Sequence, residues 1–263
     1  MDTGESLERR AELAHANLME VNELLTRAEP GGVVDRRGGE LLFAGKQDFP
    51  MLNGAMRDGT GDATAFVARA CAFFAERERG WMAYVHPADA GLDAAVRDAG
   101  LARLMDYPEM ACSAPPAEAD PPAGVELRAV GDPESARRYW SVCERAYRSL
   151  GFPPGVFDAF PAELLLRDEV GAWIAWVDGE PAATAMVALS GAVGMVCWVA
   201  TVDELRGRGL AGLCTARATN AAFERGAELA SLQASPMGES LYRALGYEEL
   251  YRYALYLKGR FAA

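Results

Sequence analysis

Several residue types are scarce in this chain of 263 residues, and each shortage excludes a class of function. Histidine occurs only as His15 and His86, which argues against His-rich metal centres and His-based catalytic triads. The net charge is −12, which makes the chain a poor binder of nucleic acid, because phosphate contacts need clustered Lys and Arg. Lysine occurs only at Lys46 and Lys258, and the other basic residues are Arg. The sequence therefore predicts no metal site and no nucleic-acid partner.

The five cysteines form no Cys-x-x-Cys pair, and we interpret them as reduced thiols of a cytosolic protein. The first residues contain no basic segment followed by an apolar one, so we expect no secretory signal. Residues 182–202 carry no charge and are long enough to span a bilayer, but Ser190 and Gly191 interrupt them. Two buried strands joined by a tight turn explain this run better, and we therefore expect a cytoplasmic protein without a membrane segment.

A proline-rich segment, residues 113–124, divides the chain. It reads SAPPAEADPPAG, which fits neither a helix nor the interior of a sheet, and we interpret it as a semi-rigid linker. The sequence therefore predicts one domain at residues 1–112 and a second at residues 125–263.

In the first domain, apolar residues recur at spacings of three and four from Leu7 to Leu25, which predicts an amphipathic helix that Pro30 ends. Asp62 is the expected N-cap of a second helix. The other predicted elements are strands at 40–44, 49–56 and 81–85, a helix at 88–99, and two short strands through Leu104 and Met110.

The second domain is predicted to begin as a meander of antiparallel hairpins and to continue with crossovers. Ser235 and Pro236 fit the N-cap and N1 positions of its last helix. The apolar loop at 151–161 has the composition of a pocket wall. The predicted strands are 125–130, 171–177, 181–189, 192–202, 229–234 and 249–257, and the predicted helices are 133–150, 210–225 and 236–245.

A glycine-rich turn separates the strand at 192–202 from the helix that begins at Leu210. Such a turn at a helix N-terminus presents unpaired backbone N–H groups at the positive end of the helix dipole, where phosphate binds readily. Gly207 and Gly209 let the backbone approach the anion, and Arg206 and Arg208 can add charge. A tight turn with solvated arginines is the alternative.

Gly207, Gly209 and Gly212 also match the Gly-x-Gly-x-x-Gly fingerprint of dinucleotide-binding proteins. That motif belongs in a parallel βαβ unit with an acidic residue after the next strand. Here the preceding strands resemble hairpins, and the next strand ends in Gln233-Ala234-Ser235. A dinucleotide-dependent oxidoreductase is therefore an alternative function.

The same turn resembles more closely the pyrophosphate loop of the GNAT superfamily of acyl-CoA-dependent N-acyltransferases, whose pattern is Q/R-x-x-G-x-G/A. Here the pattern reads Arg206-Gly207-Arg208-Gly209-Leu210-Ala211. Residues 199–204 look like the family's fourth strand and its exit. Residues 232–235 and 241–247 look like its fifth strand and its closing Tyr-x-x-x-Gly-aromatic segment. The resemblance covers residues 125–258 and implies an α/β fold with a mixed, mainly antiparallel twisted sheet flanked by helices.

The resemblance implies that a primary amine of a small molecule or a peptide attacks the thioester of acetyl-CoA directly. Backbone groups near Val199 and Thr201 would bind the pantetheine arm, and the amides of residues 206–211 would hold the pyrophosphate. Backbone N–H groups where the fourth and fifth strands splay would stabilise the oxyanion. Tyr242 matches the family's general acid. The reference pKa of a phenol, about 10, exceeds the roughly 8.5 of a thiol, yet lies near enough to it for the proton to move. The negative net charge favours a cationic acceptor.

The sequence leaves the general base open, because the strand at 192–202 contains no acidic residue. Glu204 and Asp203 follow that strand, Glu144 lies on the first helix of the second domain, and a chain of water molecules is a further candidate. Pro236 stands where the family often has a cofactor-contacting Asn. The missing carboxylate makes a non-catalytic acyl-CoA-binding module a second alternative function.

The first domain is interpreted as a degenerate copy of the same fold, because the element order from Phe49 to Cys112 roughly repeats that from Val196 to Leu257. Its loop, residues 57–62, ends in Asp62, which would repel phosphate. We expect a tandem protein whose first half binds no CoA and shapes the acceptor pocket. An unrelated helical cap is the alternative.

Overall fold

The strands of the two halves join into one sheet of eleven strands in the computed structural model, which describes residues 3–259. The helices are α1 (Thr3–Ala28), α2 (Ala63–Ala75), α3 (Ala90–Asp98), α4 (Pro133–Arg148), α5 (Leu210–Glu224) and α6 (Glu239–Ala244). The strands are β1 (Val33–Arg37), β2 (Glu40–Ala44), β3 (Asn53–Arg57), β4 (Trp81–Val85), β5 (Ala102–Cys112), β6 (Val125–Ala129), β7 (Val170–Val177), β8 (Glu180–Ser190), β9 (Val193–Thr201), β10 (Leu229–Gln233) and β11 (Glu248–Lys258).

Local signals in the sequence place helices α1 to α5 as predicted. Helix α1 buries the apolar stripe that includes Leu18 and Val21 and ends two residues before Pro30. The Asp62 carboxylate accepts hydrogen bonds from the amides of Thr64 and Ala65 and so caps α2. Aspartates also cap α3 and α4, so in all three helices a carboxylate already occupies the place where an anion would bind.

The two halves exchange their last strands. The sheet order is β1-β2-β3-β4-β11-β5-β10-β9-β8-β7-β6. Strand β11 of the second half therefore pairs with β4 of the first half, and β5 of the first half pairs with β10 of the second. The pairs β3/β4 and β9/β10 are parallel and the remaining pairs are antiparallel. The predicted mixed and mainly antiparallel sheet flanked by helices is confirmed.

The structure departs from the predicted elements in four places. Strand β1 was not predicted, and the strand predicted at 49–56 begins only at Asn53, because Pro50–Leu52 form a 3-10 turn. The two short strands through Leu104 and Met110 are one strand, β5. Pro108 is tolerated there because it lies where β10 ends, beside Ala234, whose amide donates to the Pro108 carbonyl. The last helix begins at Glu239 instead of Pro236, because the Ser235 carbonyl and hydroxyl accept from the Gly238 amide and form a turn.

Residues 113–119 contain no regular helix or strand and lie against α5. The Asn220 amide donates to the Pro116 carbonyl at 3.1 Å, and Arg217 pairs with Glu118 at 3.1 Å. The division of the chain into domains at 113–124 stays a prediction.

The uncharged run at 182–202 forms most of β8 and all of β9, as predicted. Within residues 3–259, no helix has the length and the apolar character needed to cross a membrane.

Candidate active site

A gap opens in the sheet between β9 and β10. The two strands pair in parallel only over Val193–Met195 and Leu229–Ser231, and they separate beyond Met195 and Ser231. A cavity of about 550 Å³ fills the gap, and Val199, Thr201, Gln233 and Tyr242 all line it. The separation lies where the family resemblance implies the splay of strands four and five.

Strand β9 carries a bulge at the gap. Two residues, Trp198 and Val199, oppose the single residue between Thr184 and Met186 of β8, and Trp198 has a φ of 49°. A bulge of this kind redirects the backbone groups of a strand, and a left-handed conformation costs about 1–3 kcal/mol for a residue other than glycine. The surrounding contacts must therefore hold it in place.

Two tyrosines of α4 hold the bulge. The Tyr139 hydroxyl donates to the Trp198 carbonyl at 3.0 Å, and the Tyr147 hydroxyl donates to the Val199 carbonyl at 3.1 Å. Both carbonyl groups are thereby fixed toward α4. These two hydrogen bonds hold the bulged stretch of β9 against α4.

The N-terminus of α5 opens into the same cavity. Gly209 occupies the N-cap position with a φ of 77°, and no side chain caps the helix. Within residues 3–259, the amides of residues 207–211 have no hydrogen-bond acceptor. Gly207, Gly209, Leu210 and Ala211 line the cavity. These amides can bind an anion, as the sequence predicts.

The two arginines of the loop differ. Arg206 is turned toward α4, where it donates to the carbonyls of Thr201 and Ala146 and pairs with Asp203 at 2.6 Å. Its backbone amide donates to the Asp203 carbonyl, so residue 206 contributes neither a free amide nor a free charge. Arg208 is exposed and makes no hydrogen bond or ion pair within the described residues. Only Arg208 is thus free to add charge.

Tyr242 of α6 lines the cavity and is 8% exposed. Within residues 3–259, its hydroxyl has no hydrogen-bond partner, and burial raises its pKa above the ordinary value. A Cβ atom on Gly238 would lie 2.7 Å from Cε2 of this ring, so the absence of a side chain there makes room for it. Tyr242 thus contributes a protonated hydroxyl group to the cavity.

The carboxylates proposed from the sequence lie elsewhere. Glu204 is exposed and pairs with Arg145 at 2.7 Å. Glu144 accepts from the Gly155 amide at 2.8 Å and pairs with Arg148, and so anchors the loop at 151–161. Neither lines the cavity, and the structure does not bring them to Tyr242.

Another acid, Glu109 of β5, lies behind the cavity wall and is fully buried. Its Oε2 accepts from Nε2 of Gln233 at 2.6 Å, and its Oε1 has no partner within residues 3–259. Burial raises the pKa of this carboxyl well above its ordinary value. The sequence signal was an acidic residue between the apolar residues Pro108 and Met110 of β5. Sequence reasoning missed it because β5 belongs to the first half, whereas the site was expected in the second.

The first half supplies one wall of the cavity. Six of its residues line the cavity. They are Leu18, Asn22 and Leu25 of α1, Met51 before β3, Tyr84 of β4 and Tyr107 of β5. Phe152, from the loop predicted to form a pocket wall, lies in the lining as well.

The corresponding loop of the first half is filled by its own arginine. Arg57 is buried, pairs with Asp89 at 2.6 Å, and donates to the carbonyls of Gly59 and Gly61. The carbonyls of this loop face a cation, whereas the α5 loop offers amides to an anion. Asp62 occupies the amides of α2. These contacts support the expectation that the first half binds no CoA.

Comparison with known proteins agrees with this geometry. Residues 135–247 match the family model described as "Acetyltransferase (GNAT) family", and this stretch contains the glycine-rich loop, the gap and Tyr242. This part of the chain is therefore similar to GNAT acetyltransferases. No curated protein sequence matches the chain.

Solved structures extend the similarity to the whole chain. A GCN5-related N-acetyltransferase from Kribbella flavida is 25% identical, with a TM-score of 0.72 over 95% of this chain and 96% of the other. A tandem GNAT protein from the clavulanic acid biosynthesis pathway is 19% identical, with a TM-score of 0.64 over 98% and 95%. A GCN5-related N-acetyltransferase from Sphaerobacter thermophilus is 18% identical, with a TM-score of 0.65 over 85% and 81%. The tandem GNAT fold therefore spans both halves.

Proposed function

We propose that the protein transfers an acetyl group from acetyl-CoA to a primary amine in the cavity between β9 and β10. The observation that carries this proposal is the uncapped N-terminus of α5, which opens into the same cavity as the Tyr242 hydroxyl. One site thus combines an anion-binding loop, an unpaired strand edge and a proton donor.

The donor would lie along β9. The amides of residues 207–211 would hold the pyrophosphate, with Arg208 adding charge from outside. The pantetheine arm would bind backbone N–H groups near Val199 and Thr201, at the strand edge that β10 leaves unpaired, because the carbonyls of both residues already accept from Tyr147 and Arg206. The thioester then reaches the bulge at Trp198, beside Tyr242.

The chemistry is direct attack. The neutral amine adds to the thioester carbon, backbone N–H groups at the gap stabilise the resulting oxyanion, and the C–S bond breaks as the tetrahedral intermediate collapses. The departing thiolate takes its proton from Tyr242, whose burial keeps it protonated before the step. Water takes the extra proton of the amine and returns a proton to the Tyr242 phenolate, so the products are the amide and the CoA thiol.

A non-catalytic acyl-CoA-binding module is the second candidate. The lining of the cavity within the described residues contains no carboxylate, which favours a protein that binds the donor without transferring it. Such a protein binds acetyl-CoA and acetylates no amine.

Calorimetric titration with acetyl-CoA, with NADH and NADPH in parallel, tests the donor. We expect saturable binding of acetyl-CoA at one site per chain and none of either dinucleotide. Gly209→Glu should abolish binding, because it places a carboxylate at the anion site. Gly226→Glu is the matched control, since Gly226 also has a positive φ, 88°, and open space around it. Retained affinity in Gly209→Glu would refute the assignment of the loop.

Tyr242→Phe tests the transfer step. Removing a general acid typically lowers the rate by roughly 10²-fold or more. We expect that loss in kcat with unchanged affinity for acetyl-CoA, because the phenyl ring still packs against Gly238. Unchanged turnover would remove Tyr242 from the mechanism.

A further inference from the structure

The part of the cavity that α1 covers carries no charged side chain among the described residues. We call it the chamber, and its lining includes Asn22, Tyr84, Tyr107, Tyr147, Phe152 and Trp198. Within residues 3–259, the cavity lining contains no Asp, Glu or Lys, and its one charged side chain, Arg206, pairs with Asp203 near the α5 loop. The net charge of −12 thus resides outside this chamber. The negative net charge of the chain therefore does not favour the binding of a polycationic acceptor in the chamber.

Aromatic rings form the chamber instead. Tyr147 and Phe152 have ring centroids 4.8 Å apart, and Tyr147 and Trp198 have theirs 5.8 Å apart. Tyr84 and Tyr107 face them from β4 and β5 of the first half. Such walls favour a flat apolar body, and their ring faces can attract one ammonium group as it enters.

The polar groups of the chamber are neutral. The hydroxyls of Tyr84 and Tyr107 have no hydrogen-bond partner in the described part of the chain, and burial raises the pKa of Tyr107 to about 12. Gln233 donates through Nε2 to Glu109, so its Oε1 remains an available acceptor. These groups match the N–H bonds and the lone pair of a neutral amine.

A second cationic group would lose its water here without gaining a counter-charge. Desolvation also favours the uncharged form of the reacting amine, which is the form that attacks. From the neutral lining, the aromatic walls and the unpartnered hydroxyls, we propose that the acceptor is a monoamine on an aromatic body, without a second charged group. This proposal rests on the proposed function and names its substrate class.

The test compares 2-phenylethylamine with cadaverine, which carries a second amine, and with hexylamine, which has no ring. We expect kcat/KM for 2-phenylethylamine to exceed that for cadaverine by roughly 100-fold or more. Equal or better use of cadaverine would overturn the proposal while supporting acetyl transfer. Tighter binding of octanoyl-CoA than of acetyl-CoA, with no selectivity among the three amines, would also overturn it, because the chamber would then hold the acyl chain.

A binding measurement separates the two proposals. The fluorescence of the CoA-loaded protein, in which Trp198 lines the cavity, should report saturable binding of 2-phenylethylamine but not of cadaverine. Such selective binding without turnover on any amine would support the acceptor class and refute the transferase. Absence of selective binding would overturn the acceptor class.

Asn22→Asp supplies a complementary variant, because it introduces a carboxylate into the wall with almost no change in volume. We expect it to raise the relative kcat/KM for cadaverine by roughly tenfold. Leu7→Asp is the control on the same helix, since Leu7 is 45% exposed. An equal shift in both variants, or none in Asn22→Asp, would count against the chamber as the acceptor site.

Discussion

Glu109→Gln is expected to change how the stability of this protein depends on pH. Glu109 lies on β5 between β11 and β10 and has no exposed surface. Gln233 donates a hydrogen bond to it at 2.6 Å, and no ion pair reaches it within residues 3–259. Burial therefore raises its pKa well above the ordinary value.

The sign follows from the protons bound in each state. In the unfolded chain the carboxyl ionises near its ordinary pKa of 4.5, while the folded chain keeps the proton to a higher pH. The unfolded state thus binds fewer protons above pH 4.5, so the free energy of unfolding falls as pH rises, by about 1.4 kcal/mol per pH unit. This loss continues until the folded state also releases the proton. Below pH 4.5 both states are protonated and the loss vanishes.

The glutamine side chain of the variant cannot ionise, and its carbonyl can still accept from Gln233. The free energy of unfolding of the variant should therefore rise relative to that of the native chain as the pH increases. From pH 5.5 to pH 7.5 the difference should grow by up to about 2.7 kcal/mol. Urea unfolding at the two pH values measures this difference. Asp106→Asn, on the exposed part of the same strand, is the control and should show no such gain. Parallel pH dependence of native and Glu109→Gln chains would show that the buried carboxyl ionises in the folded state.

Two other substitutions test contacts on either side of the molecule. Gly238→Ala should displace the Tyr242 ring, because the added Cβ would lie 2.7 Å from Cε2, and should lower turnover at unchanged acetyl-CoA affinity; Gly131→Ala, in open space, should have no effect on steady-state kinetics. Arg57→Met should reduce the free energy of urea unfolding by about 3–5 kcal/mol because it leaves Asp89 buried without its partner, while acetyl-CoA affinity is unchanged. Arg128→Met, which breaks an exposed pair with Glu126, should reduce it by less than about 1 kcal/mol, and an equal loss would contradict the argument.

Local patterns made much of the fold predictable. The helical spacing from Leu7 to Leu25, the aspartate N-cap at residue 62 and the hairpin meander each depend on neighbouring residues, and the structure has them. The glycine-rich loop was predictable for the same reason. A positive φ at Gly207 and Gly209 and an uncapped helix require only that short segment.

The exchange of β5 and β11 was not predictable from such patterns. An apolar strand shows which residues are buried, but not which distant strand it pairs with. Glu109 belongs to the half that the sequence predicts to bind no CoA, so the sequence assigns it no role at the site. Only the pairing of β5 with β10 brings it to Gln233 and the cavity.

The proposed base residues show the same limit at the level of side chains. Glu204 and Glu144 were chosen because they lie close to the predicted loop and helix, yet their carboxylates pair with Arg145 and Arg148. Arg206 has the charge that suits a phosphate, but four acceptors hold it, the carbonyls of Thr201 and Ala146, the Ser149 hydroxyl and the Asp203 carboxylate. Sequence indicates what a side chain can do, and packing decides which partner it meets.

The exchanged strands make the first half necessary to the site even where it binds no cofactor. Without β5, the edge of β10 would be unpaired, and an exposed strand edge invites aggregation. The cavity would also lose Tyr107 and the support of Glu109 behind Gln233. On the proposed function, the second half holds the donor while α1, β4 and β5 form the acceptor wall. Substitutions in the first half can then change which amine is accepted while the acetyl-CoA loop stays intact.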